Sequence, residues 1–254
     1  MAFNPITGTD TADSLQGTAA ADSIVALPGN DTVTGVGGND IVKLGEGNDS
    51  LVISSFIGGV AQGNSGNDVV SINGAYSFSS VYGGVGNDTI IFSNAPTRGL
   101  IAGGNGSDTI SLNGSIRTTT IYGGFSGENR DGADSITIGG TITNSLINAN
   151  QGNDTVLITG DALKGAVVGG GSGDDSVSLG GLLTASTFKG GIGSDTLYLG
   201  KVNNASVYGG NGSGDTSDGR DSISLSGVAL NAFLGGNAGS DSIFLKKFEN
   251  LLEI

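Results

Sequence analysis

Fourteen aspartates recur along this chain at fixed intervals, and those intervals constrain the fold more than any other feature. Asp13, Asp22, Asp31, Asp40 and Asp49 stand nine residues apart; Asp68, Asp88, Asp108, Asp134, Asp154, Asp175, Asp195, Asp221 and Asp241 follow at steps of about twenty, two of them twenty-six. Nearly all are preceded by a glycine-rich bend and followed by an apolar alternation. Such periods mark a solenoid, in which each coil buries its apolar face against its neighbours. Glycine supplies 49 of 254 residues without a G-X-Y triplet, which excludes collagen, and the dispersed Val, Ile and Leu argue for a packed core. The repeat predicts one all-β domain over residues 1–244, with nine-residue repeats over 1–57 and coils of about twenty residues over 58–244.

Within a coil, the residues two and four after each Asp are apolar: Ile90 and Phe92, Ile110 and Leu112, Ile136 and Ile138, Val156 and Ile158, Val177 and Leu179, Leu197 and Leu199, Ile223 and Leu225. Alternation by two is a strand with one buried face. A return strand supplies Val81, Ile101, Ile121, Ile147, Val168, Phe188, Val207 and Phe233. Two short strands per coil predict a flattened parallel β-roll or β-helix of roughly eleven coils, on the order of 50 to 55 Å long at about 4.8 Å per coil. Residues 245–254 are the one amphipathic helix candidate, with Leu245, Phe248, Leu251 and Leu252 on one face. They are expected to cap the last coil, to act as a secretion signal, or both.

The charge is -14, and 14 of the 20 aspartates occupy the periodic positions against only ten Lys and Arg. Stacked carboxylates repel unless a cation lies between them. No basic patch exists for nucleic acid. The absence of His and Cys closes the Ser/His/Asp, thiol and His-zinc routes to catalysis, so no enzymatic activity is expected. No apolar stretch is long enough for a membrane span, and the N-terminus lacks the pattern of a cleaved leader.

The motif Gly-Gly-x-Gly-x-Asp, with an apolar residue two places on, occurs at Gly83 to Asp88, Gly103 to Asp108, Gly170 to Asp175 and Gly190 to Asp195. Looser copies run from Leu44 to Asp49 and from Gly63 to Asp68. This resembles the nonapeptide repeat of the RTX family, whose parallel β-rolls bind calcium. The resemblance implies several Ca2+ ions, with Asp49, Asp68, Asp88, Asp108, Asp154, Asp175 and Asp195 as ligands. Bend carbonyls, among them those of Gly84, Gly86, Gly104, Gly106, Gly171, Gly173, Gly191 and Gly193, would complete the oxygen shell a hard cation prefers. Asp31, Asp40, Asp134, Asp221 and Asp241 join the candidate set by position.

The chain departs from the family pattern in two respects. Successive nine-residue bends alternate sides, so Asp13, Asp31 and Asp49 share one edge and Asp22 and Asp40 the other; once the period doubles, only one edge keeps the motif. Calcium is therefore expected mainly along one edge. The bends before Asp22 and Asp31 also match poorly. The two long coils carry a shared insertion, Ser-Gly-acid-x-x-Asp-Gly-x-Asp-Ser, which gathers Glu128, Asp131 and Asp134 in one and Asp215, Asp218 and Asp221 in the other. Each predicts an additional or modified calcium site.

Weak extracellular calcium affinity, about 10⁻⁴ to 10⁻³ M, suits a chain that stays unfolded in the cytoplasm and folds outside. The RTX resemblance implies type I secretion through an uncleaved signal at the C-terminal side, for which Ser242 to Ile254 is the candidate, and an extracellular or cell-surface location. With the repeat filling the chain, the expected role is structural: self-assembly into a homo-oligomer or polymer of a surface layer, filament or biofilm matrix. The alternative is an adhesin-like module that binds a cell-surface polysaccharide. Tyr76, Tyr82, Tyr122 and Tyr208 are expected at the surface. Ice binding is disfavoured, because the outward residue three after Asp varies through Ile91, Ser111, Thr137, Leu157, Ser178 and Tyr198.

Overall fold

The computed structural model describes residues 3–125, 131–212 and 218–246. Every strand pairing in it is parallel, and no helix occurs among the described residues. One sheet stacks twelve strands in chain order from Asn4–Thr7 to Phe233–Gly235. The other seventeen strands form the opposite face, which runs from Ser14–Gln16 to Ser242–Leu245, and a narrow corner. The protein is thus a parallel β-solenoid of about twelve turns.

The corner is where the structure exceeds the two-strand expectation. Two-residue strands such as Tyr76–Ser77, Ile116–Arg117, Ile142–Thr143 and Ala162–Leu163 stack on one another as a third segment of each twenty-residue coil. The extra residues relative to two nonapeptides make a bend whose inward side chains, Phe56, Tyr76, Ile116, Ile142 and Leu183, widen the core. Left-handed residues recur in this region from coil to coil, including Phe78, Arg98, Thr118, Asn144, Ala185 and Asn204, with φ between 47° and 54°. Stacking holds each in place despite the cost to a side chain there.

Register follows the alternation. Ile90 pairs with Val70 and Ile110, Phe92 with Ile72 and Leu112, and all are buried. The return column Val81, Ile101, Ile121, Ile147, Val168, Phe188 and Val207 faces them. Phe233 does not continue this column: it is 54% exposed against the Tyr208 ring, and Leu234 pairs with Val207. The bend before Asp241 starts at Gly236, five residues before the aspartate as elsewhere, so Leu234 holds the inward position.

Tyr76 is also displaced from expectation. It is buried edge-on to Phe92, and its hydroxyl donates to the Ser79 and Leu100 carbonyls at 2.7 and 2.9 Å, so it is a core residue. Leu245, assigned from the sequence to an amphipathic helix, ends the strand Ser242–Leu245; residues 247–254 lie outside the described residues.

Candidate metal centre

Each aspartate of the long ladder immediately precedes, or begins the approach to, a strand of the second face, which sets it at the same corner of every coil. From Asp13 to Asp241 the main-chain N–H of one donates to Oδ1 of the next, at 2.7 to 3.0 Å. One carboxylate oxygen is therefore spent on aligning adjacent coils. Such an acceptor contributes about 1.5–3 kcal/mol where it is charged.

In ten of these aspartates the other oxygen has no such partner. Oδ2 of Asp31, Asp49, Asp68, Asp88, Asp108, Asp134, Asp154, Asp175, Asp195 and Asp221 is buried without a hydrogen bond among the described residues. A buried unpaired carboxylate oxygen is costly, and native interiors seldom leave one. Here the costs stack. Burial first, and then in most cases neighbouring carboxylates, raise the carboxyls: Asp134 to about 9, Asp175 to about 8, Asp68, Asp108, Asp154 and Asp195 to about 7, and Asp88 and Asp221 to about 6, against the lowering effect of the ladder N–H groups. No lysine or arginine is among the groups that shift them.

What Oδ2 faces is a backbone oxygen. A Cβ built on Gly83 would fall on Asp88 Oδ2 and on the Gly103 carbonyl oxygen; one on Gly103 would meet Asp108 Oδ2 and the Gly123 carbonyl; one on Gly190 would meet Asp195 Oδ2 and the Gly209 carbonyl. At these three bends the first glycine thus leaves room where a carboxylate oxygen of its own coil and a carbonyl oxygen of the next approach, while Ala26, Leu44 and Ala149 hold that place before Asp31, Asp49 and Asp154. This oxygen-only donor set suits calcium. Among the described residues no three carboxylates converge, so backbone carbonyls must supply much of the shell. Among the bend carbonyls expected to complete the shell, the structure sets those of the first glycines beside Oδ2. Gly84 and Gly86 are also needed by the stack: they have φ of 126° and 133°, and a Cβ there would strike the Asn64 and Gly66 carbonyls.

Gly83→Ala tests this arrangement directly. It should cost about 1–3 kcal/mol by overpacking and lower calcium stoichiometry; a variant with wild-type stoichiometry and urea midpoint would show that the space at Gly83 is not part of a calcium site.

Asp40 departs from its predicted role. Its Oδ1 accepts from Asp22 N–H and its Oδ2 from Gly37 N–H, both at 2.8 Å, so protein donors use both oxygens. Asp22 is similar: burial raises its carboxyl, but donation from the Thr18 N–H, the Asn4 amide and the Thr18 hydroxyl outweighs this and leaves it below the usual range. Further along that edge serines take over. Gly59, Thr119 and Ala166 N–H groups donate to Ser79, Ser145 and Ser186 Oγ at 3.1 to 3.2 Å. A hydroxyl aligns coils as Oδ1 does, without charge to neutralise.

In the long coils, Asp131 and Asp218 lie beside Gly124 and Gly210, while Glu128 and Asp215 fall outside the described residues. Asp131 stands close enough to raise Asp108, Asp134 and Asp154 electrostatically.

Residues 7–42 and 16–51 match the sequence model of the RTX calcium-binding nonapeptide repeat, in four copies. No curated protein matches the chain. Its fold is similar to one described as the X-ray crystal structure of a hyperactive, Ca2+-dependent, beta-helical antifreeze protein from an Antarctic bacterium, with a TM-score of 0.65, 20% identity, and coverage of 94% of this chain and 85% of that one. The match spans the nine-residue bends, and the Oδ1 ladder carries the same geometry onward into the longer coils. This protein therefore carries RTX nonapeptide repeats, and calcium is its cofactor.

Proposed function

We propose that this is a secreted structural protein that folds on binding calcium and assembles with copies of itself outside the cell. The observation that carries the calcium-gated part is the column of ten buried, unpartnered Oδ2 atoms, which protein groups alone leave uncompensated. Exposed apolar residues support assembly. Leu157, Tyr198 and Phe244 project from one face, 41%, 53% and 60% exposed, with Ser178 and Ser224 between them in register. This row of alternating large and small side chains suits interdigitation with a second copy, and the strand Ser242–Leu245 has a strand partner on one side only among the described residues. The repeats' calcium chemistry, rather than catalysis, is the activity this reading assigns.

The test is calcium titration of EDTA-treated protein, followed by circular dichroism and particle size together. Folding with growth into large particles is expected; folding to a monomer that persists at millimolar calcium and high concentration would refute assembly.

A second reading, a polysaccharide-binding module, draws support from Tyr82 and Tyr122. They flank Ala102 on the outer face of the twelve-stranded sheet, beside Phe125 and Asn148 in a cleft of about 380 Å³. Calcium-loaded monomer retained on a polysaccharide resin, and released by Tyr122→Ala, would favour it.

A further inference from the structure

The two 26-residue coils depart from the ordinary bend in the same three ways. In ordinary coils the second glycine is left-handed, as at Gly84, Gly104, Gly171 and Gly191 with φ of 125° to 135°. Gly124 and Gly210, at that position in the long coils, have left this region. A second aspartate fills the space released: a Cβ on Gly124 would strike the Asp131 carboxylate, and one on Gly210 would strike Asp218 Oδ2. The glycines just before them, Gly123 and Gly209, abut Asp134 and Asp221 Oδ2. Two adjacent glycines thus carry two carboxylates side by side. In the next coil the second-glycine place is held by an asparagine, Asn150 with φ 80° and Asn237 with φ 75°, as Asn64 holds it in an ordinary coil with φ 77°, and here its amide donates back to a carbonyl of the long coil, Gly124 or Gly212.

The two coils differ in what remains free. In the first, Asp131 Oδ1 accepts from Gly132 N–H at 3.1 Å and Oδ2 from Gln151 N–H at 3.3 Å, while Asn150 Oδ1 accepts from the Asn148 amide at 2.6 Å. In the second, the place of Asn148 is held by Gly235, which has no amide side chain to donate. Asp218 Oδ1 is engaged by the Gly193 and Gly219 N–H groups, at 3.1 and 2.8 Å. Asp218 Oδ2, Asp221 Oδ2 and Asn237 Oδ1 are left buried with no hydrogen-bond partner among the described residues, and Asp221 is 1% exposed. Asn237 Cβ lies 3.2 Å from the Cβ position of Gly210, the same space that Asp218 Oδ2 abuts.

We propose that Asp218, Asp221 and Asn237 form a divalent-cation site with three side-chain oxygens from two successive coils, and that it takes calcium more tightly than the single-carboxylate positions of the ladder. Two carboxylates in place of one raise the charge facing the ion, which is how calcium sites are tuned to higher affinity. The amide of Asn237, tied to the Gly212 carbonyl, holds its oxygen toward the pair. The first long coil, where protein donors engage both Asp131 oxygens and Asn150 Oδ1 and leave only Asp134 Oδ2, is the weaker counterpart. This proposal rests on the calcium reading of the ladder.

The experiment is isothermal titration of calcium into the full-length metal-stripped chain, as wild type, Asp218→Asn, Asn237→Ala and Asn237→Asp, with circular dichroism at saturating calcium as the folding control. The wild type should show a tight class of sites apart from a weaker majority. Asp218→Asn should weaken the tight class about tenfold or more, through the lost charge, with the fold intact. Asn237→Asp should tighten it and Asn237→Ala loosen it, so the proposal stands or falls on these two if Asp218→Asn does not fold. A single affinity class in the wild type, or a tight class unmoved by the variants, would overturn the proposal while leaving the ladder as a calcium stack. No calcium uptake at all would overturn the ladder reading, and this site with it.

Discussion

Removing calcium with EDTA at about pH 8 should abolish the β-rich circular dichroism of this protein, and acidifying the same sample to about pH 5, with no calcium added, should restore most of it. The sign follows from the direction of the shifts. Ladder carboxyls are raised by burial and by one another, to values between about 6 and about 9, above the unfolded value of about 3.9. A group raised on folding contributes stability that is fully present below its unfolded pKa and is lost as pH rises through its folded pKa. The metal-free coil is therefore favoured in acid and disfavoured above about pH 7 to 9, where ionised carboxylates face one another. Calcium reverses the dependence, since protons compete with the ion for Oδ2, and apparent calcium affinity should fall on acidification. A metal-free protein that stays folded at both pH values, or that loses structure on acidification, would refute the account.

Asp175 separates the two duties of a ladder carboxylate. Its Oδ1 accepts from Asp154 N–H at 2.8 Å, and its Oδ2 is buried and unpartnered. Asp175→Ala removes both. The orphaned N–H alone should cost about 1–3 kcal/mol, and calcium loses a ligand as well. Asp175→Asn keeps a side-chain oxygen for the N–H and removes only the charge. In saturating calcium both variants should be less stable than wild type in urea, alanine the more so. In EDTA the asparagine variant should behave oppositely, with the alkaline unfolding midpoint moved upward, because a group raised to about 8 no longer ionises in the stack. A downward shift of that midpoint would show that charge repulsion is not what unfolds the metal-free rod.

Much of this was legible in the sequence because a solenoid makes local pattern and tertiary contact nearly the same thing. When Asp88 and Asp108 lie one coil apart in sequence, they lie one coil apart in space. The alternation that buries Ile90 and Phe92 likewise sets their register against Ile110 and Leu112. Period and alternation thus determined the all-β fold, the inward columns and the row of carboxylates on one edge. What the period could not show was which atom meets which across the stack. Asp40 and Asp88 carry the same side chain, yet Gly37 N–H closes the first while a carbonyl of the next coil faces the second. Nor does the period separate Tyr76 from Tyr82: the corner turns one into the core between Phe56 and Phe92 and leaves the other on the outer face. Asp218, Asp221 and Asn237 come from two different coils, and an altered backbone at Gly210 brings them together. Repetition encodes the stacking; donors, acceptors and free oxygens depend on the path of the backbone between coils, which only the tertiary structure decides.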